Sequence, residues 1–377
     1  MIVFFILITI VVYGLGNYYL GLRMFRNIKR IMPFLSAKLY WIVIIFLSLS
    51  FILERFLRKY LSKNLNYIIS LLGSYYIAVL FYVMIAFFLV DILRFALKIL
   101  IKRYKTPAVL AYANIFVAAF IILLIIVGTI NALNTKVAEY KLSTKKEVDK
   151  DLNIVMVSDV HLGTIITERR LNKLANLINR QSPDIVIFAG DLIDDDIDIF
   201  EKRRYGEILK NIKSKYGVYA VLGNHEYISR DIEKVKKCYG EAGIELIIDD
   251  VKKVDGVYLV GRDDLSSSRV NGKERRSIKD LVEGLDKNKL IIVIDHQPRN
   301  IQEVKEAGVD LQLSGHTHKG QFFPVNYITG KIYDIDHGLM QEGDFTLVVS
   351  SGYGTWGPPI RVATMSEIVS IKVSKSK

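Results

Sequence analysis

With one cysteine in 377 residues, Cys238, the chain can build neither an intramolecular disulfide framework nor a cysteine-based metal site. Any metal chemistry must rest on nitrogen and oxygen ligands. Histidine is absent from the first 160 residues, and all six histidines (161, 225, 296, 316, 318 and 337) follow. Charged residues are missing from the interior of four long apolar runs. No basic segment precedes the first run and no small-residue cleavage pattern precedes Arg23, which argues against a cleavable signal peptide. The formal net charge of +12 lies largely in short loops between the apolar runs, where Lys and Arg flank membrane segments, so no nucleic-acid partner is expected.

The four runs cover about residues 2–20, 39–53 with apolar flanks, 67–90 and 108–134. Each is long enough to cross a bilayer, which takes roughly 20 helical residues. Glu54, Arg55, Asp91 and Arg94 stand at run ends, and Tyr18, Tyr19, Tyr40, Tyr60 and Tyr67 gather near the ends as interfacial belts do. A conducting pathway needs charged or strongly polar groups along it, and their absence predicts an anchor. Residues 1–135 therefore read as a transmembrane anchor of about four helices, 136–150 as an exposed Lys-rich linker and 151–377 as a separate domain outside the bilayer.

Orientation follows from basic residues beside the runs. Arg23, Arg26, Lys29, Arg30 and Lys38 lie in the first loop, and Arg94, Lys98, Lys102, Arg103 and Lys105 in the third. The second loop has Arg55, Arg58, Lys59 and Lys63, and the exit from the last run has Lys136, Lys141, Lys145 and Lys146. Ten against eight puts the first and third loops inside, and both termini and the 151–377 domain outside the cytoplasm.

Beyond residue 150 the pattern changes to short β-branched runs: 154–157, 185–188, 218–222, 244–248, 257–260, 290–294 and 309–313. Helical spacing appears between them at Leu171, Leu174, Ala175 and Ile178 behind the cap Thr167, at Ile232, Val235 and Tyr239 behind Ser229, and at Ile301, Val304 and Ala307 behind Pro298. Such alternation predicts an α/β domain with a largely parallel sheet, whose site lies at the carboxyl ends of its strands. That is where the chemistry-bearing residues stand: Asp159-Val160-His161, Gly190-Asp191, Gly223-Asn224-His225-Glu226, Asp295-His296 and Gly315-His316-Thr317-His318, with Gly261-Arg262-Asp263-Asp264 less certain.

A set of carboxylate, amide and imidazole ligands suits two divalent ions of intermediate hardness, Mn²⁺, Fe²⁺ or Zn²⁺. Two ions about 3.5–4 Å apart clamp a phosphate, make hydroxide available at neutral pH and stabilise the leaving oxygen. Sharing them requires a bridging carboxylate. Asp191 is the natural bridge, because Gly190 lets the backbone approach closely.

In order and identity these motifs resemble the calcineurin-like metallophosphoesterase superfamily over residues 150–372. The resemblance implies a four-layer α/β/β/α sandwich. It implies that Asp159, His161 and His318 bind one metal and Asn224, His296 and His316 the other, with Asp191 bridging. By the same resemblance His225 binds no metal but faces the phosphate, steadying the transition state or protonating the leaving oxygen, with Glu226 or a nearby carboxylate to orient it. The stretch Gly315 to Gln321, with Ser351-Gly352-Tyr353-Gly354-Thr355-Trp356-Gly357-Pro358-Pro359-Ile360-Arg361, is similar to a membrane-associated branch that includes relatives of UDP-2,3-diacylglucosamine hydrolase. There a Pro-Glu-Ile usually closes the pattern; here it is Ser366-Glu367-Ile368.

Other polar residues have plainer readings. Asp194, Asp195, Asp196 and Asp198 read as a solvated loop, and His337 as a loop residue. Asp263 and Asp264 either orient ligands or end a strand. Arg361 either contacts phosphate or packs in its Gly- and Pro-rich loop, and is left out of the catalytic set. The whole predicts a membrane-anchored, two-metal phosphoesterase cleaving phosphoester or pyrophosphate bonds, with membrane lipids as partners and a lipid-linked substrate. A membrane sensor or scaffold binding a phosphorylated ligand without turnover is the alternative.

Overall fold

The computed structural model describes residues 2–100, 107–148 and 150–376. Lys102, Arg103 and Lys105 of the third loop lie outside them. The chain forms two compact units, Met1–Gly128 with Gly357–Pro359, and Thr129–Trp356 with Ile360–Lys377.

The apolar runs fold as helices α1 (Ile2–Ile31), α2 (Ala37–Leu57), α3 (Lys63–Leu100) and α4 (Pro107–Leu133). Among the described residues three stretches are long and apolar enough to cross a membrane: Ala37–Leu57, Lys63–Leu100 and Ile115–Leu133. The fourth expected run lies within α1, whose last nine residues carry Arg23, Arg26, Lys29 and Arg30. Small residues bring α2 and α3 together, as at membrane helix crossings. A Cβ at Gly73 would stand 2.8 Å from Phe51 Cα, and Ser70 and Ser74 are buried beside it. The helices are not free of buried polar groups: Asn17 accepts a hydrogen bond from Tyr76 Oη at 2.5 Å, and Glu54 is buried.

The second unit holds twelve strands: β1 (Thr135–Thr144), β2 (Leu152–Val157), β3 (Ile185–Ala189), β4 (Val218–Val221), β5 (Ile244–Leu246), β6 (Asp250–Val254), β7 (Val257–Gly261), β8 (Ile291–Ile294), β9 (Leu311–Ser314), β10 (Gly338–Glu342), β11 (Phe345–Val349) and β12 (Ser366–Lys375). Two six-stranded sheets run β1-β12-β2-β3-β4-β5 and β10-β11-β9-β8-β7-β6. The seven expected strands are β2, β3, β4, β5, β7, β8 and β9. β2 to β5 pair in parallel, as do β7 to β9.

Continuous apolar runs arise because these strands are buried on both faces. In β2, Ile154 and Met156 join the cluster shared by both sheets, where Ile187, Leu259, Ile292 and Leu313 meet. Val155 and Val157 point the other way, toward Leu171, Leu174 and Ile178 of the helix Glu168–Arg180. A third cluster joins Ile291, Val293 and Leu347 to Ile278, Leu281 and Val304 of two short helices.

Residues 135–144 are not linker. They form β1, paired in parallel with β12 from Thr135↔Ser366 to Thr144↔Lys375. Lys136, Glu139 and Lys141 face solvent while Val137, Tyr140 and Leu142 pack inward, so a Lys-rich composition hid an edge strand. The cap of helix Ile232–Glu241 is Asp231, which accepts from Lys234 N at 3.0 Å.

Candidate metal centre

The carboxyl ends of β2, β3, β4, β8 and β9 deliver the motif residues to one place. Five of them, Asp159, His161, Asp191, His316 and His318, adopt left-handed backbone with φ between 48° and 69°. Such conformations cost about 1–3 kcal/mol each and persist only where the surroundings hold them. Here the two turns hold each other. Asp159 N donates to Gly190 O at 3.1 Å and His161 N to Asp191 O at 3.0 Å, while His316 N donates to the Asp159 carboxylate at 3.1 Å. Gly190, at φ 84°, is required twice over: its backbone is left-handed, and a Cβ there would collide with the His296 ring.

Three groups of side chains converge, Asp159–His161–His318, His161–Asp191–His225 and Asp191–His296–His316, with the candidate ligand atoms of each within 4.8 Å of one another. In the first, His161 Nε2 and His318 Nε2 are 3.0 Å apart, and His318 Nε2 is 3.3 Å from Asp159 Oδ1. In the other, His296 Nε2 faces Asp191 Oδ2 at 3.2 Å, His316 Nδ1 at 3.2 Å and Asn224 Oδ1 at 3.3 Å. Asp191 Oδ2 also lies 4.0 Å from His161 Nε2, so one carboxylate touches both groups.

Divalent cations fit this arrangement. Ring nitrogens face one another and face carboxylates instead of pairing with protein donors, leaving converging lone pairs that a cation satisfies. His296 Nδ1 lies 2.8 Å from Ala189 O, to which it donates its proton, so Nε2 is the free nitrogen. Burial, and then the neighbouring His296, lower His316 to about 4, which keeps it in the neutral form that a ligand needs. Although burial opposes ionisation of Asp191, His296 and His225 hold it well below the usual carboxylate range.

Two carboxylates serve the site from behind. Glu226 does not reach His225. It is fully buried and accepts five hydrogen bonds: from Asp191 N (3.1 Å) and Gly223 N (2.7 Å) at Oε2, and from Leu192 N (2.8 Å), Ile193 N (3.1 Å) and Tyr239 Oη (2.7 Å) at Oε1. Burial and the nearby Asp191 push the Glu226 pKa up, but five donors on its two oxygens favour the carboxylate, which fixes the 191–193 turn. The partner of His225 is Asp194, from the acidic stretch read as a solvated loop. Asp194 Oδ1 lies 3.2 Å from His225 Nδ1 and 3.5 Å from His161 Nδ1, and the Asp194 carbonyl is 2.8 Å from His225 Nδ1. Its position three residues after Asp191 is the signal that distinguishes it from Asp195, Asp196 and Asp198. Burial disfavours a charged His225, yet Asp191 and Asp194 more than offset this and lift it to about 9.

The remaining candidates fall outside the centre. Asp263 accepts from Tyr227 Oη at 2.5 Å, and Asp264 from Gln297 Nε2 at 2.8 Å. Asp295 turns away from the cluster to Arg275 Nη1 at 3.0 Å. His337 Nε2 stands 3.1 Å from the buried Glu367 carboxylate, which also takes Ser351 N at 2.7 Å and Lys136 Nζ at 3.1 Å. Arg361 is wholly buried and donates to the carbonyls of Gly352 (3.0 Å) and Gly354 (2.7 Å), with Nη2 3.4 Å from His318 Nδ1, so it packs the loop against the back of a site histidine.

The model of the family described as calcineurin-like phosphoesterase matches residues 152–320. Over 379 residues the chain is 31% identical to an uncharacterized metallophosphoesterase of Campylobacter jejuni, covering 99% of both chains. It is 31% identical over 229 residues to an uncharacterized metallophosphoesterase of Helicobacter pylori, covering 60% of this chain and 61% of that one. A Danio rerio relative named a transmembrane protein with metallophosphoesterase domain is 30% identical over 267 residues, covering 67% of this chain and 61% of its own length. The match along the full length of the Campylobacter relative, with the metal-ready motif series at five strand ends, makes this chain a member of the calcineurin-like phosphoesterases, metal-dependent hydrolases of phosphoric esters.

Proposed function

We propose that the protein is a membrane-anchored, two-metal phosphoesterase acting on a lipid-linked phosphoester or pyrophosphate. The observation that carries the reading is the position of the Asp191 carboxylate, 3.2 Å from His296 Nε2 and 4.0 Å from His161 Nε2, between two ligand groups. Asp159, His161 and His318 would hold one divalent cation, Asn224, His296 and His316 the other, and Asp191 would contact both. When bound, the two cations supply a nucleophile at neutral pH and offset the charge that grows on the phosphoryl group.

The chain's own residues do the rest. With Nδ1 held by Asp194, whose charge and that of Asp191 favour the protonated ring, His225 would present Nε2 to give a proton to the departing ester oxygen. The Glu226 carboxylate, with its five donors, keeps Asp191 in place while the phosphoryl group changes charge. Sequence and layered packing together support the α/β/β/α sandwich for this unit.

Four helices, α1 to α4, would cross the membrane, with the catalytic unit on the extracytoplasmic side as the loop charges suggest. Tethering raises the local concentration of headgroup phosphates around the site, which supports a lipid-linked substrate.

The test is hydrolysis of a chromogenic phosphomonoester and a phosphodiester by the detergent-solubilised full chain, with Mn²⁺ supplied or chelated. Metal-dependent turnover abolished by Asp191→Ala and by His225→Ala is the expected result. A folded, Mn²⁺-loaded chain that binds phosphate but turns over neither ester would overturn the enzyme reading in favour of a sensor. For the tether, deletion of residues 1–128 should cut turnover of a lipid ester while sparing the soluble one, and equal effects on both would refute it.

A further inference from the structure

The helical unit contains a charged pocket that the proposed chemistry does not use. On α1, Tyr19, Arg23, Arg26 and Arg30 follow at spacings of four, three and four, which puts them on one helix face. Asp91 and Arg94 meet them from α3. Arg23 donates to both carboxylate oxygens of Asp91, at 2.5 Å and 2.8 Å, and its guanidinium lies 4.1 Å above the Phe87 ring. This fork fastens α1 to α3 and leaves a cavity of about 420 Å³ lined by Arg23, Arg26, Arg30, Asp91 and Arg94.

Four arginines against one aspartate give that lining a formal charge of +3. Among the described residues Arg26 and Arg30 have no ion-pair partner, and Arg94 reaches only Asp91, at 3.7 Å, which Arg23 already engages. With one carboxylate among four guanidinium groups, the unpaired ones repel one another unless an anion joins them. Forked N–H donors suit phosphate oxygens in particular.

The pocket's level in the helices narrows the source of that phosphate. At 38 residues α3 is about 57 Å long, far more than the roughly 30 Å hydrocarbon core, so its last turns run into the headgroup zone. Around Asp91 and Arg94 the same helix exposes Phe88, Leu89, Ile92, Leu93 and Phe95. A ligand with a phosphate and attached acyl chains satisfies both surfaces; a free phosphate ion satisfies one.

We propose that this pocket binds the phosphate of an anionic phospholipid headgroup, a site separate from the metal centre, in a proposal that rests on the membrane-anchor reading. The probe is phosphatidylglycerol titrated onto the detergent-solubilised full chain and followed by native mass spectrometry, with phosphatidylcholine and inorganic phosphate as comparisons. Wild type should hold phosphatidylglycerol at least about tenfold more tightly than phosphatidylcholine. Arg26→Ala with Arg30→Ala should weaken it roughly 30-fold, from about two arginine contributions. Arg26→Lys with Arg30→Lys, which keeps the charge but loses the fork, should weaken it less than the alanine pair does. Where the double alanine chain aggregates, Arg26→Gln and Arg30→Gln singly carry the same test at about fivefold each.

Unchanged retention in the alanine or glutamine variants overturns the pocket, and displacement by equimolar inorganic phosphate overturns the lipid as occupant. Sedimentation of membranes after alkaline carbonate separates the two readings. A full chain that stays with the membrane while the variants retain lipid refutes the pocket alone, whereas release by carbonate refutes the anchor and the pocket together.

Discussion

Replacing Glu226 by glutamine tests whether the metal centre depends on a carboxylate that never touches it. The side chain is fully buried, and its two oxygens accept from Asp191 N, Gly223 N, Leu192 N, Ile193 N and the Tyr239 hydroxyl. Glutamine keeps the shape but turns one oxygen into an NH₂ donor. With that donor at the Oε2 position it opposes Asp191 N and Gly223 N; at the Oε1 position it opposes Leu192 N and Ile193 N. At least two hydrogen bonds to a charged acceptor are lost either way. At about 1.5–3 kcal/mol each the cost is roughly 4 kcal/mol. For a unit of this size 1 kcal/mol moves Tm by about 2–4 °C, so Tm should fall by about 10 °C. The freed turn carries Asp191 at φ 53°, so Mn²⁺ affinity should fall as well. Differential scanning fluorimetry of the full chain in detergent, with a Mn²⁺ titration, reads both. A Glu226→Gln chain with Tm within about 2 °C of wild type and unchanged Mn²⁺ affinity would refute the argument, because the turn would then be holding itself.

Asp194→Asn should lower kcat about 100-fold or more, the range for losing a positioned acid, while KM and bound Mn²⁺ change little; an equal loss through KM would make Asp194 a substrate contact instead. Gly190→Ala should abolish Mn²⁺ binding, since its Cβ meets the His296 ring, whereas Gly243→Ala, at φ 76° with open space around it, should cost only about 1 kcal/mol of backbone strain. Comparable Mn²⁺ titrations of the two variants would remove the steric argument. Glu367 should carry one part of the acid sensitivity, beside Asp191 and Asp194, which their histidine neighbours also hold low: burial by itself would raise its pKa, but hydrogen bonding and charge from His337, with Ser351 N and Lys136, bring it down to about 2. Because the folded value lies below the unfolded one, the stabilisation is complete above about pH 5 and is lost as pH falls toward 2, about 3 kcal/mol in all. Glu367→Gln should flatten that acid limb in a Tm-against-pH series, and an unaltered slope would assign the limb to other carboxylates.

Much of the site could be read before any coordinates, because metal chemistry confines it to few residue types and parallel sheets confine it to strand ends. The gathering of Asp159, His161, Asp191, Asn224, His296, His316 and His318 is legible for that reason, as are the seven two-face-buried strands, whose uninterrupted β-branched runs need no partner to be recognised. The long helices are legible from length and apolarity alone, and α1 to α4 fall on the runs, although α3 continues well past Val90.

The sequence by itself thus determined which atoms are available and roughly where in each strand they stand. Tertiary structure decided which of them meet. Asp194 looked like one of four solvated acids because solvation depends on what the loop packs against, and only the fold sets its carboxylate 3.2 Å from His225. Glu226 follows His225 in sequence yet turns to the backbone of the neighbouring strand end, since the short helix Asn224–Ile228 sends adjacent side chains in different directions. β1 stayed hidden because an edge strand shows solvent one face and is defined by its partner, and that partner, β12, lies more than 200 residues away along the chain.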